Sequence, residues 1–314
     1  MQQPFLLRLL ALMLYVTAVA LPPAVATAMT AGGATQLGTA LQVLLTTSEL
    51  VVGQNRVAFG LLWERKLLAQ AAVVVRVYAL HGQDAALLAE AEAPYYALEV
   101  VEQGRQVHIH PDGSRHVHHE ATDVRGIYVT HVTFPQPGTW GLEVLAKQGK
   151  GPVASSRFSV TVLATSRTPA LDTPAPRSHN LIASDVSDLR QIDTSEPPDP
   201  RLHQMRIADA IAQGRPQVIV FATPQLCTTR VCGPVVDVVR MLLPTYGDRV
   251  AFTHQEVWQD TSAQALSPIM VEWNLQTEPW MFVVDGRGMI RAKFEGLTTV
   301  RELEVALRQV LNMP

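Results

Sequence analysis

The chain has 314 residues, of which 47% are apolar and 17% charged, enough apolar material to bury about two ordinary cores. Lys and Arg number 25 against 28 Asp and Glu, a formal charge of −3, so no strong basic field exists to hold a phosphate backbone, and no nucleic-acid partner is expected.

Residues 1–28 read as a signal peptide: Arg8 precedes the apolar stretch Leu9–Leu21, and Ala24–Ala28 (AVATA) supplies the small residues that signal peptidase requires. The apolar run is short for a spanning helix, and an uncleaved segment would tether the protein to a membrane with its globular part outside. The expected location is therefore exported: periplasmic, extracellular or membrane-anchored. No cysteine follows the apolar run, so no lipid-modified N-terminus is expected.

From 29 to 163, short runs rich in Val, Leu, Tyr and Thr alternate with turn signals, among them ALQVLLTT, NRVAFGLLWE, AVVVRVYAL and SRFSVTVLA. Their length and spacing predict an antiparallel β-sandwich of about seven to nine strands. The run GIYVTHVTFPQPGTWGLEVLA resembles the closing hairpin of small immunoglobulin-like domains of exported bacterial proteins, a resemblance that concerns fold only.

Five of the ten histidines lie in HIHPDGSRHVHH, residues 108–119. Pro111-Asp112-Gly113 suits a type I turn followed by a left-handed glycine, which sets a three-residue hairpin loop. Pairing His110 with Ser114 then puts His108 opposite His116, with His110 and His118 on the same face and His119 on the other. Neutral imidazoles so placed could bind Zn²⁺ or Cu²⁺. A two-residue loop would split the pairs between faces and remove the site, and solvated histidines on a polar or pH-responsive face are the plainer reading. No other cofactor is expected.

Residues 164–200 (SRTPALDTPAPRSHN, later TSEPPDP) read as a Pro-rich linker, whose second half is expected to lie along the next domain because free coil of that length is uncommon. From 201 to 314 the pattern changes. HQMRIADAIAQG reads as a helix ending at Gly214, QVIVFA as a buried strand and VVDVVRMLLPTYG as a helix. RVAFTHQEVW reads as a strand, SPIMVEWNL as a helix, MFVVD and MIRAKFEG as a hairpin, and TTVRELEVALRQVL as a final amphipathic helix with Thr298 as its N-cap.

A buried strand, a cysteine-bearing loop leading into a helix, and a Glu278-Pro279 bond just before MFVVD together resemble the thioredoxin-like, or redoxin, superfamily over Gln217–Leu311. The resemblance implies an α/β thioredoxin-like fold after the all-β immunoglobulin-like sandwich. It also implies thiol–disulfide exchange by Cys227 and Cys232, with Pro279 in the position of the family's cis-proline facing the cysteines. The implied partners are protein thiols or disulfides of exported proteins. As the only two cysteines in the chain, the pair would close a loop too small to constrain the unfolded chain much.

The spacing departs from the family. Thioredoxins have C-x-x-C, whereas here four residues separate Cys227 from Cys232. On an undistorted helix an i,i+5 pair is about 8–9 Å apart, beyond bridging reach. Either the intervening segment is irregular or the helix unwinds on oxidation, and Pro234 favours a helix starting near Gly233-Pro234. Counted from the strand, Cys227 takes the nucleophile's place and Cys232 resolves; counted by Cys232-Gly233-Pro234, Cys232 takes it. The family's buried acid and tryptophan are replaced by Phe221 and Leu226. His254 or Glu256 could substitute as proton acceptor if its strand end nears the cysteines, the plainer reading being a satisfied polar pair.

Other readings stay open. C-T-x-x-x-C is similar to the bacterioferritin-comigratory type of peroxiredoxin, although in P-x-x-x-T-x-x-C only Thr229 stands correctly before Cys232 and Pro224 is one residue too far away. Copper-delivery proteins of this fold use C-x-x-x-C with a distant histidine. A non-catalytic binding or metal-handling protein with a structural disulfide is the reading from a different class.

Overall fold

The computed structural model describes residues 41–82, 84–98, 101–102, 105–109, 115–117, 126–227, 231–259 and 265–313. The expected signal peptide, and His110 and His118 of the expected metal site, lie outside them.

The first part is built of strands β1 Gln42–Leu45, β2 Leu50–Val51, β3 Gly53–Trp63, β4 Lys66–Leu67, β5 Ala72–His81, β6 Asp84–Glu92 and β7 Tyr95–Ala97. There follow β8 Val101–Glu102, β9 Arg105–Ile109, β10 Arg115–Val117, β11 Gly126–Phe134, β12 Gly138–Lys147 and β13 Val153–Leu163. One sheet runs β1-β3-β11-β7 with β4 on β3, and the other runs β2-β13-β12-β5-β6. Among the described residues that makes ten strands in the two layers, more than expected, because two-residue ladders at β2 and β4 pair where the sequence carries no strand-length run. Between the layers lies a core of Val57, Phe59, Leu61, Val75, Val77, Tyr128, Phe134, Trp140, Leu142 and Val144. β8, β9 and β10 form a small separate sheet.

Over residues 57–59 and 127–130, β3 and β11 are buried on both faces. Val57, Phe59 and Leu61 face the sandwich interior, while Ala58, Ile127 and Val129 face outward into a second core shared with the C-terminal part. Arg56 reaches across the same contact: Nε donates to Glu302 Oε1 at 2.7 Å and the guanidinium also donates to the carbonyls of Glu295 and Leu297 at 3.0 and 2.7 Å.

The C-terminal part carries α1 Ile207–Ala212, β14 Gln217–Phe221, α2 Cys232–Tyr246, β15 Ala251–Gln255, α3 Pro268–Glu272, β16 Trp280–Val284, β17 Ile290–Glu295 and α4 Val300–Val310. Its mixed sheet has the order β15-β14-β16-β17, with β14 parallel to β15 and the other pairs antiparallel. β14 and β16 are buried at every position. Their side chains alternate: Val218, Val220, Met281 and Val283 meet α2 and α4, while Ile219, Phe221 and Phe282 lie in the core on the other face, where both phenylalanine rings pack against Trp273. Thr299, not Thr298, caps α4, because Thr299 sits three residues before Glu302 and completes a reciprocal capping box with it.

Residues 164–200 lie against this sheet. Pro174 bridges to Met289, Ser178 accepts the Trp273 indole N–H at 2.8 Å, and Asn180 Oδ1 accepts the first N–H of α1 at 2.8 Å. Short 3₁₀ turns at Ala183–Asp185, Leu189–Gln191 and Pro200–His203 replace free coil. Among the described residues, no helix is long and apolar enough to cross a membrane.

Candidate functional site

The two cysteines are joined in a disulfide, with Cα atoms 6.1 Å apart. That distance fits a bridge because Cys227 precedes α2 and Cys232 is its first residue, so the pair is not an i,i+5 pair on one straight helix. The helix starts one residue before Gly233-Pro234, and Pro234 falls within its first turn, where no N–H partner is lost. Val231 gives this helix no side-chain cap, and Cys232, as its first residue, stands at the positive end of the helix dipole. Cys227 is 8% exposed and Cys232 is fully buried.

Glu278 completes the site. Its Oε2 lies 3.4 Å from Cys232 Sγ and accepts the Thr223 N–H at 3.0 Å, while Oε1 accepts the Trp258 indole N–H at 3.3 Å. Donor atoms of Cys227, Cys232 and Glu278 all fall within 4.8 Å of one another. Burial pushes the Glu278 carboxyl above its ordinary pKa, against the two hydrogen bonds and with a smaller push from the Glu256 charge. The Glu278-Pro279 peptide is cis, as is Glu196-Pro197, and the Pro279 carbonyl accepts the Gly296 N–H at 2.9 Å.

The hydrogen bonds and ion pairs that His254 and Glu256 make with described residues go to groups other than the sulfurs. His254, on β15, is fully buried; its Nε2–H donates to the Ala222 carbonyl at 2.8 Å, and Nδ1 stands 3.3 Å from Asp193 Oδ1, an ion-pair contact without hydrogen-bond alignment. Asp193 Oδ2 lies 3.1 Å from Nε2 of the equally buried His203. Burial opposes a charge on His254, but the Asp193 carboxylate outweighs it and holds the imidazole above its usual pKa, whereas burial keeps His203 below. Glu256 Oε1 accepts the Thr194 N–H at 2.6 Å and stands 3.9 Å from His254 Nε2.

A single peptide unit joins the two groups. The Ala222 carbonyl accepts the hydrogen bond from His254 Nε2–H, and the N–H of the same peptide, on Thr223, donates to Glu278. A positive charge at His254, from a proton or a bound cation, would polarise the donor that serves the Glu278 carboxyl beside Cys232.

In the small sheet, β9 and β10 pair with His108 and His116 as Cα partners. Only the backbone is described there.

Sequence reasoning missed Glu278, read only as the residue before Pro279, and missed Asp193 and His203, which lie in or beside the segment read as linker. The signal that could have found Glu278 is a carboxylate next to an expected buried strand start, where an acid needs a reason.

No family model matches the chain, and no curated protein matches it. Solved structures resemble about two fifths of it. A DUF4426 family protein from Pseudomonas aeruginosa is 12% identical over 40% of this chain and 91% of its own, with a TM-score of 0.24. The soluble domain of PmoD from Methylocystis is 10% identical over 39% and 90%, with a TM-score of 0.20. Domain 1 of VCBP3 from Branchiostoma floridae is 12% identical over 40% and 96%, with a TM-score of 0.21. Likeness at these scores carries no functional argument.

Proposed function

We propose that this chain carries out thiol–disulfide exchange through Cys227 and Cys232, in a thioredoxin-like C-terminal part preceded by an immunoglobulin-like sandwich, acting on thiols or disulfides of exported proteins. The observation that carries the reading is the contact of Glu278 with Cys232 Sγ at the N-terminus of α2: a half-buried, protonatable carboxyl beside a sulfur that must gain and lose a proton.

In the reductive half-reaction an incoming thiolate attacks Cys227 Sγ, the less buried sulfur. The S–S bond breaks, Cys232 leaves with the electron pair, and the Glu278 carboxyl transfers its proton to it. The products are a mixed disulfide on Cys227, the Cys232 thiol and the Glu278 carboxylate, so atoms and charge balance. In reverse, the carboxylate takes the Cys232 proton, the Cys232 thiolate attacks Cys227 Sγ, and the substrate thiolate departs. Helix amides favour the thiolate at Cys232.

The deep burial of Cys232 and near-burial of Cys227 favour a second reading, a binding protein with a fixed disulfide. Equilibration of the folded protein with defined thiol/disulfide ratios separates them. A potential between about −120 and −270 mV supports exchange, and one below about −300 mV marks a structural bridge.

A further inference from the structure

Asp193, His203 and His254 come from three separate segments: the stretch after Leu189–Gln191, the turn Pro200–His203, and strand β15. All three side chains are buried to within 1%, and one donor atom from each lies within 4.8 Å of the others.

The hydrogen-bond pattern fixes the tautomer of His254. A carbonyl only accepts, so Nε2 carries the proton that goes to Ala222 O, and whenever the ring is neutral Nδ1 is a lone pair. That lone pair faces Asp193 Oδ1 at 3.3 Å and has no hydrogen-bond partner. Two acceptors at that distance repel unless a cation lies between them. The other carboxylate oxygen is 3.1 Å from His203 Nε2, so each oxygen of Asp193 is paired with one imidazole.

The surroundings of His254 and Asp193 match the outer shell that orients metal ligands, while Nδ1 of His203 is buried without a hydrogen-bond partner. A ligating imidazole donates its remote N–H to a carbonyl, and a ligating carboxylate is itself hydrogen-bonded. Here Ala222 O holds His254, while the N–H groups of Ser195 and Asp199 hold the two oxygens of Asp193 at 2.8 and 3.0 Å.

We propose that Asp193, His203 and His254 form a closed structural site for a divalent transition metal of the zinc class. A chelating carboxylate and two imidazoles supply four nitrogen and oxygen donors, a set suited to Zn²⁺ rather than Cu(I). The ion ties the connecting segment of residues 192–203 to strand β15. This assignment does not depend on the exchange reading. The rival occupant is a proton, which would make His254 an imidazolium.

The test uses the full chain with its disulfide intact and the hairpin histidines replaced (His108→Ala, His110→Ala, His116→Ala, His118→Ala, His119→Ala), refolded with Zn²⁺ or Co²⁺ because the site is closed to solvent. One equivalent of metal retained after desalting is expected, with an X-ray absorption shell of nitrogen and oxygen including two imidazoles. Adding His203→Ala should abolish that retention. No retained metal, sulfur in the shell, or retention unchanged by His203→Ala overturns the site and leaves the proton. If His203→Ala does not fold, the absorption shell of the unaltered triad decides.

Discussion

The Oε2 atom of Glu278 touches Cys232 Sγ at 3.4 Å while accepting the Thr223 N–H at 3.0 Å, so one oxygen serves both the sulfur and the backbone. Ionised, it gains from the amide; protonated, it can place its proton toward sulfur. Burial shifts the balance toward the protonated form, which a proton donor to a leaving thiolate requires.

Glu278→Gln keeps the shape and removes the transferable proton. Reduction of the disulfide by a small thiol should slow by roughly 100-fold, in the range of general acid–base catalysis. After correction for ionisation of the attacking thiol, the unaltered protein should lose rate as pH rises through the elevated Glu278 pKa, and the variant should show a flat profile. Stopped-flow fluorescence from the nearby Trp258 can follow the step. Equal rates and equal profiles in the two proteins would remove Glu278 from the chemistry.

The order of attack follows from exposure. With Cys232→Ser, a mixed disulfide with a small aromatic disulfide reagent should form and persist on Cys227. With Cys227→Ser, the fully buried Cys232 should be trapped at least tenfold more slowly. Mass spectrometry of the adducts reads this directly, and faster trapping at Cys232 would reverse the roles of the two sulfurs.

Much of the architecture was legible because it rests on local pattern. QVIVF and WMFVV are apolar at nearly every position, as strands covered on both sides must be. The Pro111-Asp112-Gly113 turn led to the same His108–His116 register that the backbone adopts. What escaped depends on contacts distant in sequence. Glu278 meets a sulfur 46 residues away, and nothing in its neighbourhood in the chain announces that. Asp193 sits in a segment whose composition reads as linker, although its carboxylate is the most buried part of that segment. The outward burial of Ala58, Ile127 and Val129 needs the second part of the chain to be in place. The Thr299 cap was within reach, since the spacing of Thr299 and Glu302 identifies it against Thr298.

Arg56 supplies a stability prediction at the contact between the two parts. Its side chain and that of Glu302 are 10% and 12% exposed, and it satisfies two backbone carbonyls besides. Arg56→Ala strands the Glu302 carboxylate and those carbonyls in a nearly dry contact. A loss on the order of 3 kcal/mol is expected, as for one partner removed from a buried pair. Urea unfolding should show it as a lower midpoint, and a change below about 0.5 kcal/mol would mean that water fills the gap left by the guanidinium.

Glu49 gives the same contact a dependence on pH. Burial raises its pKa, but the Ser166 hydroxyl, the Lys293 ammonium at 3.0 Å and the Arg167 N–H at 2.8 Å outweigh that and bring it from 4.5 to about 2. A carboxylate whose pKa is depressed on folding contributes its full stabilisation above the unfolded value, and the contribution fades as pH falls toward the folded one. The window here is therefore from about pH 4.5 down to about pH 2, and the contribution, reduced by solvent screening at a half-buried site, is on the order of 1–2 kcal/mol. Glu49→Gln should unfold at a lower denaturant concentration than the unaltered protein at pH 7, and the two midpoints should converge as pH drops through that window. Lys293→Met, which leaves Glu49 with its neutral donors only, should narrow the window from its acidic end. Midpoints that stay equally far apart from pH 7 to pH 2.5 would show that the network holds this contact by shape and hydrogen bonding, with the charge of Glu49 contributing little.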